Sequence, residues 1–347
     1  MAESRLLAPH QVQQLATEFS QTPAAAQGTA KTVGQWLIGR NVLSRYQALI
    51  LLAGRSGPFH YGDYKVYDRI EQGKLAGLFR AVHAASGHPV LLKFLTGPVV
   101  SQPALWSAAA SNTQAASRIV SPQVQRYFEA VDLQTFKFVV SEDLRGTTLD
   151  ERLDTSRLPP AEACRIARLA AIGLAQLHAS GRVHGEVQPA NLFLEGAASK
   201  MPANVKLLFD AMQFPGPLDS SQQQPGSPLA AMADYLAPEL AAAGRGPDPL
   251  SDIYALGCTL YMMLAGKPPF SGGELQQKLV RHATEPIRSL EKLAVPQPLM
   301  QLVGYLMANA FDAGDLGTGA AVGWVLTAII FVLSMIQVKM SGAFKKD

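Results

Sequence analysis

The stretch His184 to Leu194, HGEVQPANLFL, holds a histidine, a carboxylate and a carboxamide close together: His184, Glu186 and Asn191. A carboxylate can take a proton from an attacking hydroxyl, and a carboxamide oxygen can ligate a hard cation. Two more charged residues close apolar runs elsewhere, Lys93 in VLLK and Asp210 in VKLLFDAM. Residues Ala161 to Ser180 carry apolar side chains at helical spacing, and strand-like residues follow Asn191. The chemical groups therefore sit on a loop between a helix and a strand.

This loop resembles the catalytic loop of protein kinases, H-R-D-L-x-x-x-N. In that family the Asp accepts the proton of the substrate hydroxyl, and the Asn binds a metal on the ATP phosphates. His184 and Asn191 keep their places here, while Gly185 replaces the Arg and Glu186 the Asp. Gln188 stands where Ser/Thr kinases usually carry Lys. The resemblance implies catalytic roles for Glu186, Asn191 and Lys93, with ATP and magnesium as cofactors.

Other stretches extend the resemblance. IEQGKLAGLFRA falls where kinases have G-x-G-x-x-G, whose amides approach phosphate without a Cβ in the way. Gly73 keeps the second glycine, Glu71 takes the first position and Ala76 the third. Lys93 matches the V-A-I-K lysine, which in an active kinase is held by a Glu on the next helix. No Asp or Glu occurs from Phe94 to Phe128, so this stretch cannot supply that ion pair. FKFVVSE reads as the strand entering a hinge, with Ser141 at the gatekeeper position and backbone from Glu142 to Leu144 facing an adenine. In VKLLFDAM the gap-free register puts Phe209 at the metal-binding Asp; sliding by one residue recovers Asp210 as the ligand beside Asn191. Strand alternation favours the gap-free register. Ser220, Ser221 and Ser227 lie in a Pro, Gln, Ser and Gly-rich loop and are either phosphate acceptors or plain loop serines. DYLAPEL and SDIYALGCTLYMMLAGKPPF then match the family closely, and the resemblance implies that Asp252 holds the backbone of the catalytic loop.

The chain has 347 residues, 48% apolar and 16% charged, with a formal net charge of +3, enough for two lobes with extensions. So weak a positive charge argues against a nucleic-acid partner. Cys164 and Cys258 fit no metal spacing and read as buried thiols. The start, MAESRLLAPHQ, lacks the apolar core of a signal peptide. After Asn309 the kinase pattern stops. Leu316 to Val338 is an uncharged run of about 23 residues, roughly 34 Å as a helix, enough for a membrane span. It resembles the last helix of sugar ABC-transporter permeases. Lysines after it would keep the C-terminus inside, whereas the missing signal would keep the kinase-like part cytoplasmic.

The fold expected is α+β, a two-lobed protein-kinase fold resembling bacterial Ser/Thr kinases. It comprises a helical N-terminal extension (1–58), an N-lobe (59–145), a C-lobe (146–310) and a C-terminal transmembrane helix (316–338). The function expected is an impaired, membrane-associated kinase-like signalling scaffold with a protein partner. Two alternatives stay open: a slow Ser/Thr kinase using ATP, and a kinase-like remnant fused to a permease fragment.

Overall fold

The computed structural model describes residues 4–153, 157–196, 202–212, 232–241, 246–312 and 320–340. The serine-bearing loop with Ser220, Ser221 and Ser227 lies outside the described residues. The chain forms two compact units, Met1–Gln114 with Tyr127–Leu144, and Ala115–Arg126 with Arg145–Asp347.

The first unit opens with three helices, α1 (Pro9–Ser20), α2 (Ala30–Gly39) and α3 (Arg45–Leu52). Thr29 and Ser44 cap α2 and α3 by accepting from the amides of Thr32 (3.2 Å) and Gln47 (3.0 Å). The apolar faces meet in a small core of Leu6, Leu37, Leu43 and Phe59. Gln47 is buried because its amide donates to the Val66 carbonyl at 2.9 Å, which ties α3 to the sheet.

That sheet contains β1 (His60–Tyr61), β2 (Tyr64–Arg69), β3 (Phe79–His83), β4 (Pro89–Phe94), β5 (Tyr127–Asp132) and β6 (Lys137–Glu142). Its order is β1-β2-β3-β4-β6-β5, antiparallel throughout. Side chains alternate between faces. Val66, Ala81, Val90, Leu92, Phe138 and Val140 make the core on one face. Arg80, Leu91, Lys93, Val139 and Ser141 therefore share the other, as the pairings Arg80 with Leu91, Leu91 with Ser141 and Lys93 with Val139 require. A single turn, α4 (Pro98–Ser101), leads to α5 (Pro103–Ser117). The Trp106 ring of α5 receives the Lys137 ammonium 4.5 Å from its centroid.

The second unit has a small antiparallel sheet, β7 (Gly146–Thr148), β8 (Leu192–Glu195) and β9 (Asn204–Leu207). Around it lie α6 (Leu149–Leu153), α7 (Pro160–Ala179), α8 (Pro249–Ala265), α9 (Leu275–Thr284), α10 (Gln297–Asp312) and α11 (Ala320–Met340). Helix α8 is apolar on nearly all sides and buried nearly throughout, the place such a helix takes in a protein core. Asp248 caps it by accepting from the amides of Leu250 (2.9 Å) and Ser251 (2.8 Å). Gly257 lets α10 approach: a Cβ there would lie 2.9 Å from Leu306 Cβ and Met307 Cγ. Cys164 and Cys258 are free and buried, and burial pushes the Cys164 thiol up to about 11.

The expected membrane span over 316–338 is corrected by this fold. Residues 316–319 lie outside the described residues, and from Ala320 the run forms α11, which packs along α7. Leu326, Ile329, Leu333 and Ile336 recur at three- and four-residue spacing and are buried in the core of the second unit. Arg168 of α7 donates through Nε to the Gln337 amide oxygen at 3.2 Å. Among the described residues no helix is long and apolar enough to cross a membrane. An apolar run suits a protein core as well as lipid, so composition alone does not separate the two. The outer face of α11 presents Phe331, Val332, Met335 and Val338.

A buried histidine makes this unit sensitive to acid. His282 of α9 meets the Tyr254 hydroxyl through Nδ1 at 2.6 Å and packs against Phe270, with ring centroids 4.7 Å apart. Burial pushes its pKa down to about 4, with Lys278 and Arg281 acting in the same direction and Asp234 and the Ala233 backbone opposing. The unfolded chain would bind a proton near pH 6.5, so this histidine favours the fold above that pH and loses its effect as pH falls toward 4. Unfolding stability is expected to drop by about 2 kcal/mol between pH 7 and pH 5 from this group alone. Urea titrations at both pH values test this; a His282→Asn chain with the same pH slope as wild type would refute it.

Candidate active site

The loop from Arg182 to Asn191 leaves α7 and enters β8. Asp252, near the start of α8 and 1% exposed, holds its backbone. One carboxylate oxygen accepts from the Gly185 amide at 2.7 Å and the other from the His184 amide at 2.8 Å. His178 Nε2 lies 2.8 Å from the second oxygen, and because a carboxylate only accepts, that nitrogen carries the proton. Gly185 sits at φ +75°, a left-handed backbone that glycine adopts without penalty. His184 accepts from the Glu186 amide through Nδ1 at 3.2 Å, and burial holds its pKa below the usual value despite nearby Asp252 and Glu186.

Glu186 is exposed and Asn191 is buried, and the two meet. The Asn191 amide nitrogen donates to the Glu186 carbonyl at 2.8 Å and lies 3.3 Å from its carboxylate. This orientation commits the nitrogen and directs the carbonyl oxygen of the same carboxamide elsewhere, as a metal ligand requires. The Leu208 amide donates to the main-chain carbonyl of Asn191 at 2.8 Å, which sets the VKLLFDAM segment beside the loop.

In that segment Phe209 is partly buried and packs against the core of the unit. Asp210 is exposed and accepts from the Met212 amide at 2.9 Å. Arg182, 3% exposed, holds the segment in place. Its Nη2 donates to the carbonyls of Asp210 (3.0 Å) and Ala211 (3.3 Å), and its guanidinium lies 5.0 Å from the Phe209 ring centroid. Among the described residues no three His, Cys, Asp or Glu side chains gather as a metal site. A magnesium ion bound with ATP would therefore draw on Asn191 and Asp210, with its remaining oxygens from nucleotide and water.

The first unit carries the other expected residues. Lys93 is exposed, on the sheet face opposite the core. Gly73 turns the β2–β3 connection at φ +74°. That connection bonds to itself: the Gly77 amide donates to Ile70 (2.8 Å), Ala76 to Gly73 (3.0 Å) and Leu78 to Leu75 (3.1 Å). Those three amides are engaged within the turn, where a phosphate-binding loop would turn them toward the ligand. Glu142 ends β6, paired with Val90, and Leu144 is buried. The Leu144 carbonyl accepts from Arg80 Nη2 at 3.3 Å, and Arg80 also pairs with the Asp143 carboxylate.

Spacing in the sequence does not single out Arg80 or Arg182. Each acts across a long sequence separation, and neither stands in a local pattern that marks it.

A family model described as the protein kinase domain matches residues 64–307, more than half of the chain, and the chain belongs to that family. Serine/threonine-protein kinase PkaB of Streptomyces coelicolor is 34% identical over 228 residues, covering 64% of this chain and 53% of that protein. Serine/threonine-protein kinase PknB of Mycobacterium leprae is 28% identical over 229 residues, covering 63% and 36%. Serine/threonine-protein kinase pkn2 of Myxococcus xanthus is 25% identical over 245 residues, covering 71% and 29%. The chain thus spans about half or less of the length of these relatives.

Proposed function

We propose that this member of the kinase family is a pseudokinase that binds a protein partner through its kinase fold and transfers phosphate poorly or not at all. The observation that carries the reading is the acid-free stretch from Phe94 to Phe128, which contains α5. In an active kinase that helix presents the Glu that positions the phosphate-binding lysine. Three features support the same reading. Glu71 brings a carboxylate to the first glycine position, the turn after β2 bonds to itself, and Gln188 removes a cation from the catalytic loop. The packing of α11 against α7 supports a tail that belongs to this fold over one fused from a permease.

Sub-millimolar Mg-ATP is expected to leave the melting temperature of the full chain unchanged. A ligand at 100 times its dissociation constant would add about 2.7 kcal/mol. A rise of several degrees would therefore overturn the pseudokinase reading.

A second reading, a slow Ser/Thr kinase, draws on the contact between Asn191 and Glu186 and on the clamp by Asp252. Glu186 has one methylene more than Asp, and a displacement of about 1 Å can cost ~10²-fold. Radiolabel transfer to a Ser/Thr peptide is expected to stay at background in wild type and in Glu186→Ala alike. A measurable activity that Glu186→Ala lowers by about 10²-fold or more would favour the slow kinase instead.

A further inference from the structure

We infer that Arg80 is an internal latch on the hinge: anchored on Asp143, its guanidinium takes the Leu144 carbonyl and closes that edge to a purine. The inference rests on the pseudokinase reading and adds a second, independent obstacle to nucleotide binding, one that concerns the base and not the phosphates.

The geometry lies wholly within the first unit. Arg80 stands in β3 opposite Leu91, so its side chain leaves the sheet on the face that carries Lys93 and Ser141. From there it spans to the end of β6, where it pairs with the Asp143 carboxylate and donates through Nη2 to the Leu144 carbonyl. The pair is largely withdrawn from water, with side-chain exposures of 13% for Arg80 and 5% for Asp143. A charge-assisted contact withdrawn from water is harder to displace than an exposed one, because solvent no longer screens it. Leu144 itself is 1% exposed, which leaves its carbonyl little room beside the guanidinium. A purine presenting its exocyclic amine or ring edge here would have to displace the guanidinium, and the Asp143 anchor opposes that displacement.

The latch makes a prediction that phosphate chemistry does not. Adenosine has the purine edge but no phosphate and needs no metal, so the turn at Gly73, Lys93 and Asn191 do not bear on its binding. Arg80→Met keeps the side-chain stem and removes the guanidinium. In calorimetric titration of the full chain, Arg80→Met is expected to bind adenosine about tenfold more tightly than wild type, the size of effect that removing one competing charged hydrogen bond allows. Asp143→Asn, which loosens the anchor, is expected to shift affinity in the same direction by less. An Arg80→Met chain that melts cooperatively and binds adenosine no better than wild type overturns the latch. If Arg80→Met does not fold, Asp143→Asn decides: a gain supports the latch, and no gain overturns it. Tight Mg-ATP binding by wild type would count against both ideas, whereas adenosine binding by Arg80→Met bears on the latch alone, so failure of the latch can be told apart from failure of the pseudokinase reading.

Discussion

Ending the chain at Asp312 is expected to unfold the second unit, with no membrane involved. Helix α11 contributes Leu326, Ile329, Leu333 and Ile336 to the core, each at most 8% exposed. Burying one such side chain stabilises by about 1.5–3 kcal/mol, so the four together contribute roughly 6–12 kcal/mol before the cost of ordering the helix. That is comparable with the whole stability of a domain, about 5–15 kcal/mol. The shortened chain should therefore aggregate or lose its cooperative melt, because the face of α7 that α11 covers would meet water. A milder form of the experiment is Leu333→Ala, which should cost about 2–5 kcal/mol in urea unfolding. A shortened chain with an unchanged melting temperature would show that α11 is a passenger on the domain. Sedimentation of the full chain with lipid vesicles separates this account from membrane insertion.

The second large effect is expected at Asp252. Its carboxylate is met by the amides of His184 and Gly185 and by His178 Nε2. Asp252→Ala removes the acceptor and leaves these buried donors without it, at about 1–3 kcal/mol for each unsatisfied group. A loss of about 4 kcal/mol or more in unfolding free energy follows. Asp252→Asn keeps one acceptor oxygen and should cost about half as much. Denaturant midpoints at a constant slope would measure both. A loss below about 1 kcal/mol for Asp252→Ala would mean that water replaces the carboxylate and that the loop is held by other contacts.

Much of the second unit is legible in the sequence because its signals are local. The spacing of His184, Glu186 and Asn191 locates the loop, and Asp252 stands in a helix apolar enough to be recognised as buried. Glu186 and Asn191 meet within that loop through the Asn191 carboxamide. What cannot be read depends on partners far away in sequence. Arg80 and Asp143 are 63 residues apart, and Arg182 and Asp210 are 28 apart. The internal bonding of the turn after β2 is a backbone property that a partial glycine pattern does not reveal. The tail misleads for another reason. The run 316–338 has the length and composition of a membrane span in the sequence, and only the packing on α7 decides where the buried stripe of α11 goes.

Gly185 bears on any attempt to write the family's loop motif into this chain. The loop is held with residue 185 in the left-handed region, where a side chain costs roughly 1–2 kcal/mol and glycine costs nothing. The present loop therefore stores no conformational strain at that residue, and Asp252 has only to orient it. Rewriting Gly185 and Glu186 as Arg and Asp to reproduce the family motif would convert a relaxed loop into a sprung one. The clamp at Asp252 would then carry a restoring force it does not bear now. Reversion would have to proceed outward from the clamp, with the surrounding packing strengthened before the motif is restored.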